Sequence, residues 1–230
     1  TYKKTTTDKT GRAQMSNNAE AWPRTHVGLL NGQYLFSASD ILSFTGLFQC
    51  MNYDRLGNIN NMKVNPSGSV VANVLRQRDN SEKQTGHSAG LTWKHLWKDQ
   101  QAGLELTLNH DAFDYNQGNR FANKKPGTDI ILAQDRLFIE QNKKQWFASV
   151  KLSKQFADGF TGQIGYSGQW HKDDYVASDD DLVNSVWVHN VAKSNDYILT
   201  KKLHTAYAEI DYGTGLWHYI AGFQALFDSR

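Results

Sequence analysis

The sequence predicts an all-β protein: an antiparallel up-and-down transmembrane β-barrel, or a multi-hairpin part of one. Three observations carry that expectation. Runs of about ten residues alternate apolar and polar side chains, the two-residue period of a strand with unlike faces. Tight turns alternate along the chain with longer polar stretches. Aromatic side chains collect near the predicted strand ends, as in the interfacial girdles of membrane barrels.

The first pair of strands is the least regular: Gly28 to Phe36, a turn over Ser37 to Asp40, then Ile41 to Tyr53. In the next, Ala89, Leu91 and Trp93 alternate with Ser88, Gly90, Thr92 and Lys94. After a turn at Lys98-Asp99-Gln100-Gln101, Leu104, Leu106 and Leu108 alternate with Glu105, Thr107 and Asn109. A third hairpin sets Trp146, Ala148, Val150 and Leu152 against Ser149, Lys151, Ser153 and Gln155. It turns at Ala157-Asp158-Gly159 and returns with Phe160, Gly162, Ile164, Tyr166, Gly168 and Trp170 on one face. The last places Ala206, Ala208, Ile210 and Tyr212 opposite Thr205, Tyr207, Glu209 and Asp211. It turns at Gly213-Thr214-Gly215 and returns with Trp217, Tyr219, Ala221, Phe223, Ala225 and Phe227. Between the hairpins, Asp54 to Ser67, Gln117 to Thr128 and Lys172 to Asn184 read as long polar loops. Short turns at one end and long loops at the other are the asymmetry of outer-membrane barrels. No helical period is sustained anywhere.

Composition narrows the class. The 230 residues include 3 prolines, few enough for long ladders that use every backbone N–H. Mean hydropathy is −0.62, and no apolar run approaches the roughly 20 residues of a spanning helix. A barrel tolerates such a value because its lumen face is polar. A net charge of +2, with Lys and Arg scattered, argues against a nucleic-acid partner. The single cysteine, Cys50, leaves no intrachain disulfide and no cysteine-based zinc site, and its expected place is a buried strand position. The opening TYKKTTTDKTG has no apolar stretch, so a signal peptide is not expected, and residues 1–230 read as one barrel region with no plug domain.

A soluble barrel also alternates, with its apolar face inward. Here the polar faces hold Thr, Ser, Gln and Asn with many glycines, as a lumen would. In a membrane barrel Leu104, Leu106, Leu108, Val150 and Ile164 face outward; in a soluble one they face the core. The lumen face then carries Glu105, Thr107, Asn109, Lys151 and Gln163.

Chemical motifs are weak. Asn109-His110-Asp111 places a histidine beside an acid at a strand end, and Ser88 is the obvious serine on the preceding strand for a nucleophile and base pair. A solvated histidine near a loop is the commoner case. His87 and His95 share a face but are too far apart to bind one metal. His171 with Asp173 and Asp174, and the run Asp179-Asp180-Asp181, supply oxygen ligands without calcium-loop spacing. The expectation is no catalytic, cofactor-binding or metal residue and no enzyme.

The segments Asn195 to Thr200, Leu203 to Glu209 and Gly213 to Phe223 resemble the barrel of TonB-dependent receptors, in particular the Bacteroidetes-type outer-membrane β-barrel family. There an "AAY" strand leads through a short turn into a strand ending in "GLR"; here the counterpart is Gly222-Phe223-Gln224, without the arginine. Leu29 to Phe44 resembles that family's passage from a "G-x-Y" strand into a "tLs" strand. The resemblance covers the last third of the chain well and the rest in rhythm. It implies the bacterial outer membrane, surrounding lipid, nutrient uptake, a TonB-type energising protein and a surface lipoprotein as partners, and no cofactor. It leaves the transported ligand open. The alternatives are a smaller porin, adhesin or outer-membrane lipid hydrolase, and a soluble ligand-binding barrel. A receptor barrel has about 22 strands, and this length supplies about half of them.

Overall fold

Alternation, turn chemistry and scarce proline assemble the chain into one antiparallel sheet in which each strand pairs with the next. The computed structural model describes residues 2–214 and 216–229. The strands are β1 (Tyr2–Asp8), β2 (Gly11–Leu35), β3 (Asp40–Val64), β4 (Val70–Trp97), β5 (Ala102–Lys124), β6 (Ile131–Ala157), β7 (Phe160–Val183), β8 (Val186–His189), β9 (Asn195–Thr214) and β10 (Trp217–Ser229). Sheet order follows chain order from β1 through β7 to β9 and β10, and the short β8 pairs with the far end of β7. This is the expected up-and-down topology.

The strands are much longer than expected. β4 has 28 residues and β6 has 27, where about 9–11 suffice to cross a bilayer. The three stretches read as loops are mostly strand. Asp54 to Val64 completes β3, Gln117 to Lys124 completes β5, and Lys172 to Val183 completes β7. Both faces are polar there, so no alternation marked them, although the backbone ladder continues. For the same reason β1 and the first half of β2 gave no signal in the sequence, and the four residues of β8 are too few to show a period. The links at that end are tight. Gly68 N–H donates to the Asn65 carbonyl at 3.0 Å, and Thr128 N–H to the Lys125 carbonyl at 3.2 Å. Pro66 and Pro126 sit just after the first residue of each turn, and Gly127 adopts φ +74°, which a side chain would resist.

At the opposite end the predicted turns stand. Lys98–Gln100 forms one 3-10 turn closed by Gln101 in the left-handed region, and Gly159 takes φ +70° between β6 and β7. Of the predicted turn after β9, Gly215 lies outside the described residues.

Among the described residues the sheet is open. β1 covers Gly11 to Asn17 of β2, so Ala19 to Leu35 of β2 and the far side of Trp217 to Phe227 in β10 face no further strand among the described residues. A bilayer leaves no such edge unpaired. β2 and β10 run in opposite directions and can pair with each other or with further strands.

Candidate functional site

Cross-strand partners in an antiparallel sheet share a face, so the registers fix which side chains stand together. One row runs Tyr34–Leu42–Trp93–Leu106–Val150–Tyr166–Ala206–Ala225. The row beside it, on the other face, runs Gln33–Ser43–Thr92–Thr107–Ser149–Ser167–Thr205. Glu105, Thr107, Asn109, Lys151 and Gln163 all stand on this second face, opposite Leu104, Leu106, Leu108, Val150 and Ile164.

The two faces differ in the direction opposite to a soluble protein. Leu108 is 47% exposed and Ile164 56%, and Leu104 is half-buried. Glu105, Thr107, Asn109, Lys151 and Gln163 are all half-buried. The buried polar residues, Asn80, Asn119, Asp135, Asp173 and Asp179, belong to the polar face as well. An apolar outside around a polar inside places the hydrocarbon of a bilayer, rather than water, against the leucines.

Polar contacts tie the inner wall across strands. Glu105 lies between two lysines, with Lys94 Nζ 3.1 Å and Lys151 Nζ 3.4 Å from its Oε2. Thr92 and Thr107 hydroxyls meet at 3.3 Å, and Gln163 donates to Glu209 at 2.7 Å. Asn109 leans over Gly90, where a Cβ would come within 2.7 Å of its Oδ1. Charge at this depth is tolerable only where it faces away from lipid.

Girdles bound the apolar band. One holds Trp97, Phe156, Phe160, Tyr212 and Trp217 beside the short turns; the other holds Trp146 and Trp170, direct partners on β6 and β7. Phe160 to Trp170 spans ten residues, roughly 25 Å of height for a strand tilted by about 40°, which is the height of a barrel's lipid-facing band.

Above the row of Trp146 and Trp170, β4 to β7 continue for 13–19 residues with polar side chains outside, among them Asp79, Lys83, Asn116 and Glu140. Inside, the row Met51–Gln84–Tyr115–Gln141–Tyr175–Tyr197 forms a ledge above the membrane zone. Tyr175 and Tyr197 stack at 5.0 Å, and Gln141 donates to Asp173 at 2.9 Å. Burial, with Glu82 alongside, pushes the Tyr115 hydroxyl up to about 12. Higher still, Arg76 grips Asp135 through both guanidinium nitrogens at 2.9 and 2.5 Å, and Arg55 donates to the Tyr53 hydroxyl at 2.7 Å. This ledge was not anticipated, because its residues lie where no alternation was visible.

Several predicted constellations separate. Ser88 stands on the inner face and His110 on the outer, so they cannot meet. Asp173 is inside and Asp174 outside. Asp179 and Asp181 face Lys193 at 3.6 and 2.6 Å, while Asp180 turns away to Arg136 at 2.8 Å. His87 and His95 do share the outer face, but His95 pairs with Asp40 at 2.7 Å. Among the described residues no group of three His, Cys, Asp or Glu side chains is placed to hold a metal. Cys50 is half-buried rather than buried.

The profile of the outer membrane protein beta-barrel family matches residues 95–225, more than half of the chain. The chain belongs to the outer membrane protein β-barrel family. No curated protein is significantly similar to it. Family membership agrees with the inverted polarity and places this β-barrel chain in the bacterial outer membrane, which removes the soluble alternative. The matched span begins at the end of β4 and closes within β10, so it takes in the Leu104–Leu108 stretch, both tryptophans of the upper girdle and the Tyr115–Tyr197 ledge.

Proposed function

We propose that this outer-membrane barrel chain forms wall of a TonB-dependent uptake receptor. The observation that supports this reading best is the continuity of the polar inner face. It runs from Gln163 and Glu209, through the Lys94–Glu105–Lys151 row, to the tyrosine and glutamine ledge and the tall outer mouth. Tyr115, Tyr175 and Tyr197 offer ring faces, and Gln84, Gln141 and Asp173 offer hydrogen bonds. That mixture suits a glycan, a peptide or a metal chelate. Glu105, Thr107, Asn109, Lys151 and Gln163 line the passage below. An inner-membrane energising protein of the TonB type works from the side of the short turns. A surface lipoprotein rests on the strand extensions, and outer-membrane lipid packs against the leucine face. The reading is non-enzymatic; the opposed directions of Ser88 and His110 disfavour the hydrolase alternative.

Planar-bilayer recording and cellular uptake of the full-length protein test this. A receptor stays electrically quiet without ligand, and uptake of its ligand collapses when the proton gradient is discharged. A steady open conductance, or uptake indifferent to an uncoupler, makes the protein a passive porin instead.

A further inference from the structure

The outer face changes character just above the tryptophan girdle. Lys144 of β6 and Lys172 of β7 are direct cross-strand partners, one step above the Trp146–Trp170 pair. Lys202 of β9 is the cross-strand partner of Trp170. All three lysines are exposed, and they occupy three neighbouring strands within reach of one multivalent anion. Like charges placed directly opposite each other oppose pairing unless something neutralises them. Lys172 has a partner in Asp174 at 2.7 Å, and Asp114, in the same outer row as Asp174, accepts a hydrogen bond from Asn142. Among the described residues nothing neutralises Lys144 or Lys202.

The position of this cluster defines what reaches it. It sits at headgroup level, since the rings beneath it mark the edge of the hydrocarbon. It faces outward, so lumen solutes do not meet it. Lysines at that depth attract anionic lipid headgroups. The polar strand extensions rise from the same side, which makes that side the outer leaflet. We propose that Lys144, Lys172 and Lys202 bind the phosphate groups of a phosphorylated glycolipid in the outer leaflet, whose acyl chains run down past Trp146 and Trp170. The site is independent of whether the barrel imports a ligand.

The test uses the full-length protein in nanodiscs of phosphatidylethanolamine, with or without a bisphosphorylated acyl-glucosamine disaccharide. Bound glycolipid is counted by native mass spectrometry after transfer to detergent. The wild type retains the glycolipid, K144Q/K202Q retains at least about fivefold less, and K144R/K202R retains it. Migration of unheated samples on a gel verifies that each variant is folded. Equal retention by wild type and K144Q/K202Q overturns the site, as does equal retention of the dephosphorylated lipid. Displacement by millimolar inorganic phosphate alone overturns the commitment to a lipid. The leaflet is checked separately with Ser67→Cys in a Cys50→Ser background. Labelling by an impermeant maleimide on intact cells is expected, and labelling only after lysis overturns the outer-leaflet assignment.

Discussion

Leu106 stands midway along β5 between Ala102, beside the short turn, and His110, whose ring lies 4.3 Å from that of Trp146 in the upper girdle. It is therefore the residue nearest the bilayer midplane on its strand. Leu106→Arg should cost about 2–4 kcal/mol, while Thr107→Arg, on the opposite face, should stay within about 1 kcal/mol because the lumen hydrates it. Urea titration of both variants in phospholipid vesicles measures the difference; equal costs would mean the two faces are misassigned. That the two neighbours part company was readable in the sequence, because a period of two separates them wherever one face is apolar. The same parity, followed through the registers, puts Ser88 and His110 on opposite faces. Sequence spacing concealed this, since it does not say which residue of one strand lies across from which residue of the next.

Hairpins were legible only as far as the membrane makes the faces unlike. Above the girdle, Arg76, Arg78 and Asn80 alternate with Gln77, Asp79 and Ser81, polar on both sides. The strand persists there through backbone hydrogen bonds and side-chain pairs such as Arg76–Asp135, which leave no hydropathy period. The end of β7 is held by the most polar of these contacts. The carboxyls of Asp180 and Asp181 lie below their ordinary value of 3.8, the first chiefly through the Arg136 hydrogen bond and the second chiefly through that of Lys193. A carboxylate depressed on folding stabilises above its unfolded pKa, and that stabilisation fades as the pH falls through the folded value. Lys193, raised from 10.5 chiefly by Asp181, fades only at the alkaline extreme. Amide hydrogen exchange over β8 and the end of β7, corrected for intrinsic rates, should show protection unchanged from about pH 7 to about pH 5 and lost below about pH 3.8. Loss already at about pH 5 would mean that the carboxylates of Asp180 and Asp181 do not hold the tip.

Across the whole sheet, the registers record an angle that no single strand carries. The row starting at Leu35, the last residue of β2, passes through Ile41, Lys94, Glu105, Lys151 and Gly165 to Tyr207. β2 turns immediately after Leu35, whereas β9 runs on seven residues from Tyr207 to Thr214 before turning. With the short turns resting on one membrane plane, the strands must slope to absorb this offset. Seven residues are roughly 24 Å of strand, set against roughly 29 Å for the six strand spacings between the two turns, which gives a tilt of about 40°. The outer turns drift the same way. The row through Lys124, the last residue of β5, meets β4 at Leu75, five residues in from Val70. Transmembrane barrels tilt by about 35–45°, so the stagger built by hairpin lengths already has membrane geometry before any lipid is considered. The short turns were visible in the sequence, but the stagger was not, because it depends on how long each hairpin is and how it registers against the next. Polarised infrared spectroscopy of the full-length protein in oriented bilayers measures the tilt from the amide dichroism. A tilt of about 40° is expected. Strands lying nearly parallel to the membrane normal would mean that the short turns occupy different heights and that the girdle of Trp97, Phe160 and Trp217 does not mark one interface.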